Sequence, residues 1–337
     1  MKKTFRQIRK YIPVLAAALL FASCSLFAPK LQKQTRFLMD TYVTIQVPGG
    51  AKEMALIGKA MDRMEEVDKK FSMNDAGSII YNFNNLGTPI TDPEIIKIIK
   101  RAIHVSELSG GKFDVTVYPL MKLWGFYGTK RLPSKEEIKK VLQYVGYKNL
   151  IIKDGVLTKA KKGVAMDIGG IAKLYALEEG ANVLKKAGIK TALIDAGGDI
   201  YAMGKYQGRD WKVGIRDPRS DGVIGALDVS DMLVISSGDY ERYFEKDGVR
   251  YHHLMDPYTG YPAPGLSSVT ILCQDPEKAD GLSAAVFIMG KEKGFALAKK
   301  LGYFEAIVIT EDQQVFYSEG LNQSTKVVKV KELPKGG

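Results

Sequence analysis

Apolar and polar residues alternate along residues 39–47, with Thr41, Val43, Ile45 and Val47 on one face, and this period of two predicts a half-buried strand. The period then changes. Met54, Ile57, Met61, Met64, Val67 and Phe71 recur at three- and four-residue intervals, which predicts a helix whose methionine stripe faces the core. Thr91-Asp92-Pro93-Glu94 opens a second helix with a capping side chain and a proline in the first turn, and Gly110-Gly111 closes it. Ser134 with Glu137 forms a capping box for a third. Residues 150–152 and 156–158 flank a Lys153-Asp154-Gly155 turn, and a further helix is expected from about Gly170 to Gly188. Strands dominate beyond it, with a hairpin over 240–254 around Lys246-Asp247-Gly248 and helices over 277–289 and 291–301. Hairpins mixed with long helices, without regular strand–helix–strand alternation, predict an α+β fold. No repeat, low-complexity tract or Pro/Gly/Ser linker interrupts residues 35–325.

The N-terminus follows other rules. Lys2, Lys3, Arg6, Arg9 and Lys10 form a basic segment, residues 11–21 are apolar, and Ala22-Ser23 precede Cys24. This reads as a secretory signal. The small residues before Cys24 resemble a lipobox, with Phe21 where leucine is usual, so Cys24 is the expected lipidation site. Acyl chains there would tether the protein to a membrane. The expected division is a signal at 1–23, a tether at 24–36, one folded domain of one or two lobes at 37–325, and a basic flexible tail at 326–337. The expected location is an exported, membrane-anchored lipoprotein facing the periplasm or the cell exterior. Five of the basic residues behind the formal charge of +11 precede Cys24, leaving a mild +6 for the remainder. With no Lys/Arg block and no zinc-finger spacing, a nucleic-acid partner is excluded. A mild positive balance suits an anionic substrate or a lipid surface. Cys273 lies in an apolar strand and reads as a buried thiol, so no internal disulfide is expected.

Candidate chemistry concentrates in five stretches. Two of the three histidines, His252 and His253, end the predicted hairpin beside Asp256-Pro257 and a Thr259-Gly260 turn, a way to present a base that titrates near neutral pH. The alternative is a pair of surface histidines on a strand. Residues 110–126 place Asp114 between Phe113 and Val115, with Trp124, Phe126 and Tyr127 following. They read as a core-forming turn or as a platform for a flat ring. Residues 166–180 lead from Asp167 through Gly169-Gly170 and Lys173 into a helix, where backbone N–H groups and a lysine suit a phosphate. Gly197-Gly198 after a strand permits close backbone approach or makes a tight turn. Asp280, near the start of an apolar helix, caps it or holds a hard cation.

Taken in order, FDVTVYPL with LWGF, MDIGGIAK, AGGDIYAMG, VGIRDP, SSGDYERYF, HHLMDPYTGYP and ADGLSAA resemble the successive motifs of the ApbE family, the FAD:protein FMN transferases. The resemblance runs from about Phe37 to Tyr317. It implies an α+β architecture of mixed, largely antiparallel sheets with flanking helices, related to the T-fold, with an FAD cleft. It further implies Mg²⁺-dependent transfer of FMN from FAD to a threonine of a flavoprotein subunit of a membrane redox complex, with release of AMP. By family position His253 is the general base and Lys173 the catalytic cation. Asn74, Asp114, Asp167, Lys173, Ser237, Gly238 and His253 contact FAD. Asp280, the Gly170 carbonyl and Ser283 serve the metal. Two positions depart from the family. Ala284 stands where a threonine ligand is usual, with Ser283 about 100° away on a helix. Asn74 stands where an aromatic residue is common. Two alternatives use the same residues: an Mg²⁺-dependent FAD pyrophosphatase and a non-catalytic FAD-binding lipoprotein.

Overall fold

The computed structural model describes residues 29–321 and 327–329, so the signal segment, Cys24 and all of the tail except 327–329 lie outside the described residues. The first elements are two paired strands, β1 (Leu31–Leu38) and β2 (Thr41–Pro48). Their turn, Met39-Asp40, has positive φ at both residues, 53° and 58°, which matches the twist of a two-residue hairpin. The Met39 N–H donates to Asp68 at 2.9 Å and holds the turn against helix α1 (Ala51–Phe71). The strand expected from residue 39 thus starts at Thr41, and a whole strand lies within the segment read largely as a tether. Its inward positions explain why. Gln32, Gln34 and Arg36 are polar and only partly buried, and Arg36 pairs with Asp62 of α1 at 2.6 Å.

Helices α2 (Ile79–Leu86), α3 (Pro93–Leu108), α4 (Tyr118–Leu123) and α5 (Lys135–Leu142) follow. Asp92 caps α3, and Ser134 with Glu137 forms the expected capping box of α5. After the β3 (Leu150–Lys153) and β4 (Val156–Lys159) hairpin comes α6 (Gly169–Lys186). The remaining strands are β5 (Ala192–Ala196), β6 (Asp199–Met203), β7 (Trp211–Arg216), β8 (Val223–Val229), β9 (Met232–Gly238), β10 (Tyr243–Lys246), β11 (Val249–His252) and β12 (Leu266–Cys273). Then come α7 (Pro276–Ala279), α8 (Leu282–Met289), α9 (Lys291–Leu301), β13 (Phe304–Thr310), β14 (Val315–Tyr317) and β15 (Val327–Lys329). The single helix expected over 277–289 is therefore two, broken at Asp280-Gly281, where Gly281 has φ 67°. Part of the expected tail is strand, because β15 pairs with β8.

One eight-stranded sheet organises the molecule, in the order β1-β2-β5-β6-β9-β12-β13-β14. Every neighbouring pair is antiparallel. Alternation sends successive side chains to opposite faces. Val43, Ile45, Ile194, Val269, Ile271 and Val308 meet α1, α6 and α8 in the main core, where Met61 and Met64 are fully buried as the helical stripe predicts. Ile200, Val234, Leu272, Ile307 and Ile309 face the other way, against Trp211, Val213 and Leu227 of the small sheet β15-β8-β7. All eight residues of β12 are buried because both its faces are covered. Cys273 is among them, a free buried thiol. A third core joins α4 and α5 to the β10–β11 hairpin, with Trp124 packed between Tyr251 and Tyr261. The architecture is α+β with a large antiparallel sheet and flanking helices.

Candidate active site

The β10–β11 hairpin carries the two histidines. Asp247 and Gly248 turn it with φ of 53° and 75°, and Tyr243 pairs with His252. His252 is buried. Its Nε2 donates to the Ala263 carbonyl at 3.0 Å, its Nδ1 accepts from the Leu254 N–H at 3.3 Å, and its ring packs edge-on to Phe287. Both nitrogens are committed, and burial lowers the pKa. His253 differs. Its Nδ1 is buried with no hydrogen-bond partner. Burial first, then the charge of Arg242, then His252 hold its pKa well below the usual value. The ring is therefore neutral at pH 7 with a lone pair to offer. The turn after it is fixed by Asp256, which accepts from Lys112 Nζ at 2.7 Å and from the Tyr258 N–H at 3.0 Å. The Gly260 carbonyl, at the end of that turn, accepts from Trp124 Nε1 at 2.9 Å.

Helix α6 opens toward the same place. Its N-cap is Ile168, which has no side-chain oxygen to satisfy the first N–H groups, and Gly169 and Gly170 are exposed. Unmet N–H groups at a helix start attract an anion. Asp167 reaches one of them, Gly169 N–H, at 3.0 Å and accepts the Tyr127 hydroxyl at 2.7 Å. Lys173, one turn along, lies 2.8 Å from Asp199 at the start of β6. Burial opposes the charge on Lys173, but Asp199 outweighs it and the pKa is raised, so the ammonium stays charged. Gly197-Gly198 form a tight hairpin turn with φ of 63° and 93°, the plainer of the two readings. A Cβ on Gly197 would lie 2.2 Å from Thr41 Oγ1.

Asp280 sits at the break between α7 and α8 with no exposed surface. One oxygen, Oδ2, accepts from Arg101 at 3.2 Å, while Oδ1 is buried with no partner. Burial pushes its pKa up to about 7 despite Arg101. Arg101 is also engaged by Glu178, at 2.7 and 3.3 Å, and by Glu277. A buried carboxylate with an idle oxygen fits a cation. Among the described residues no group of three or more His, Cys, Asp or Glu that could hold a metal surrounds it.

Helix α6, the Phe113 loop, the Asp280 break and strand β9 are joined by a ring of contacts. The Phe113 ring lies over both Gly170 and Gly281, where an added Cβ would be 3.6 and 2.7 Å from it. Ser283 of α8 shares a 2.8 Å hydrogen bond with Ser237 of β9. Its neighbour Ser236 donates its N–H to Asp199 at 3.2 Å, which returns to Lys173 and α6. Position 238, the last of β9, has no room for a side chain, since a Cβ there would lie 2.2 Å from the Tyr240 ring. Two expected contacts sit differently. Asp114 commits Oδ1 to Thr116 and Oδ2 to the Tyr147 N–H at 2.5 Å, building the loop that carries Phe113. Asn74 is exposed, and it is Met73 whose sulfur lies 3.8 Å from the Tyr127 hydroxyl. Asp199, Tyr127, Arg242, Arg101 and Glu178 went unassigned at the sequence level. Tyr127, Glu178, Asp199 and Arg242 lie in or beside stretches already singled out, but Arg101 carries no local signal.

Residues 39–308 match the model of the ApbE family. A FAD:protein FMN transferase of Treponema pallidum is 34% identical, covering 71% of this chain and 72% of the relative. Another, from Vibrio cholerae, is 32% identical, covering 87% of this chain and 91% of the relative. The crystal structure of the ApbE protein of Thermotoga maritima superposes with a TM-score of 0.81 at 37% identity, covering 87% of this chain and 98% of that one.

Proposed function

This chain belongs to the ApbE family, and from that premise we propose that it transfers the FMN moiety of FAD to a threonine hydroxyl of a flavoprotein, releasing AMP. One observation carries the reading. A neutral histidine with an unpartnered buried Nδ1 lies within electrostatic reach of a charged lysine on a helix whose N-terminus is open. In the step, the threonine oxygen bonds to the FMN phosphorus and the P–O bond to the AMP phosphate breaks. The electron pair leaves with AMP, and the hydroxyl proton passes to His253. Lys173 has three N–H donors, of which Asp199 uses one, so the others remain for phosphate oxygens. Asp280 through Oδ1, the Gly170 carbonyl and the Ser283 hydroxyl would hold Mg²⁺, which supplies charge neutralisation at the phosphates. Ala284 contributes only a methyl group where a hydroxyl ligand is usual, so a bound ion would have one protein ligand fewer there.

We assign the acceptor to a subunit of a membrane redox complex and the chain itself to the membrane surface through lipid on Cys24. Among the described residues no helix is long and apolar enough to cross a bilayer. The test is incubation of the protein with FAD, Mg²⁺ and a candidate acceptor, followed by flavin fluorescence in a denaturing gel and measurement of AMP. Protein-bound flavin with equimolar AMP supports the reading. FAD consumption yielding only free FMN would replace it with a pyrophosphatase, and no consumption with a flavin-binding protein.

The exposure of Asn74 favours some hydrolysis beside transfer. A small polar residue following Met73, whose sulfur meets the Tyr127 hydroxyl, leaves water a route to the phosphate. Asn74→Tyr is expected to raise the ratio of protein-bound to free FMN several-fold. An unchanged ratio would mean that residue 74 does not border the flavin.

A further inference from the structure

Most arginines and lysines near the cleft are held by carboxylates. Lys173 has Asp199, Lys112 has Asp256, Arg101 has Glu178 and Asp280, Arg219 has Asp239, and Arg250 has Glu245. Arg242 is different. Among the described residues no carboxylate is ion-paired with it, although the Asp167 charge acts on it, and the residue keeps exposed surface while its guanidinium is partly withdrawn from water. Its position is nonetheless defined. Tyr243 and His252 are paired across the hairpin, so Arg242 and His253 are the next opposed residues, and the His253 N–H donates to the Arg242 carbonyl at 3.0 Å. Opposed residues on an antiparallel pair project to the same side. The guanidinium lies 5.9 Å from the centre of the Tyr127 ring, and Tyr127 is bonded to Asp167. A guanidinium placed by an aromatic ring, opposite the base and ion-paired to no described carboxylate, presents its fork to whatever anion enters.

We propose that Arg242 is a ligand of the substrate's diphosphate, binding its oxygens from the hairpin side while Lys173 and the α6 N-terminus bind from the other. This rests on the reading of the cleft as an FAD site, and adds to it a specificity element for the phosphorylated part of the flavin. The same placement has a second effect. His253 is faced by the cations Arg242 and Lys173 and by the His252 ring, and burial together with the positive charge disfavours its protonation. Arg242 thus attracts the diphosphate and keeps the base opposite in its working form.

The test compares wild-type protein, Arg242→Gln and Arg242→Lys, with folding checked by thermal melting. Binding of FAD and of riboflavin is followed by flavin fluorescence in the presence of chelator, so that no turnover occurs. Arg242→Gln should weaken FAD about 10–100-fold, the range of a charge-assisted hydrogen bond, and leave riboflavin within about twofold. Arg242→Lys should recover part of the FAD affinity. The acid limb of the transfer rate should move to higher pH in Arg242→Gln and return toward wild type in Arg242→Lys. Equal loss for both flavins would mean that Arg242 only shapes the loop, and equal FAD binding in all three proteins would remove its role altogether. A wild-type protein that binds FAD no better than riboflavin would defeat the reading of the cleft and this inference with it, and would do so before any variant is compared.

Discussion

Replacing His253 with alanine is expected to slow flavin transfer about 10²–10⁴-fold, the usual contribution of a general base, while leaving FAD affinity within a few-fold. Nδ1 of His253 holds no other group in place, so its removal breaks no internal hydrogen bond. The neighbouring residue predicts the opposite pattern. His252 bridges the Ala263 carbonyl and the Leu254 N–H and packs on Phe287, so His252→Ala should lower the melting temperature. Any fall in rate there should follow the loss of folded protein. Single-turnover transfer rates and melting curves for both variants separate the two roles. A wild-type rate in His253→Ala together with lost chemistry in folded His252→Ala would move the base by one residue.

The second large effect belongs to Asp280. Its carboxyl titrates near pH 7 because burial disfavours the charge. In the metal-free protein the fold holds this proton up to about pH 7, far above the unfolded value. That contribution to stability is complete below the unfolded pKa and is lost as pH rises through the folded one. A divalent cation held by the ionised form would reverse the trend. Mg²⁺ should therefore raise the melting temperature clearly at pH 8 and progressively less below pH 7. Its apparent affinity should fall about tenfold for each pH unit as the proton competes. Asp280→Asn should abolish the Mg²⁺-induced rise at pH 8 and reduce AMP release to the level seen with chelator. A metal-induced rise that is equal at pH 6 and 8, or that survives in the variant, would place the cation elsewhere.

Local chemistry made much of this molecule legible in the sequence. Asp92, Ser134 and the Asp247-Gly248 pair act within a few residues of themselves, and each builds the cap or turn expected of it. The methionine stripe reads as core because a helix repeats its face every few residues. Strand β1 escapes such reading, since its inward side chains are polar, with Arg36 paired to Asp62 of α1 and Gln32 donating to the Gly49 carbonyl. The break at Asp280-Gly281 is hidden for another reason. The residues after it are apolar except for Ser283, and the positive φ of Gly281, packed on Phe113, interrupts the helix. The partners of the site residues are harder still. Asp199 lies 26 residues from Lys173 in sequence and Glu178 lies 77 from Arg101, and no periodicity links such pairs. Asp114 shows the converse, since a carboxylate in an apolar motif looks like a ligand until the backbone donors around it are placed.

The order of strands in the large sheet, β1-β2-β5-β6-β9-β12-β13-β14, is also their order along the chain. Each strand is laid beside one made earlier, and none has to be inserted between two already in place. The sheet can therefore grow from one side as the polypeptide emerges, with a single unfinished edge advancing from β2 to β14. An unfinished edge invites pairing with other chains. Here the growing edge passes from strand to strand during synthesis, and only β1 and finally β14 keep an edge in the finished sheet, so a chain delivered from its N-terminus presents the strands in assembly order.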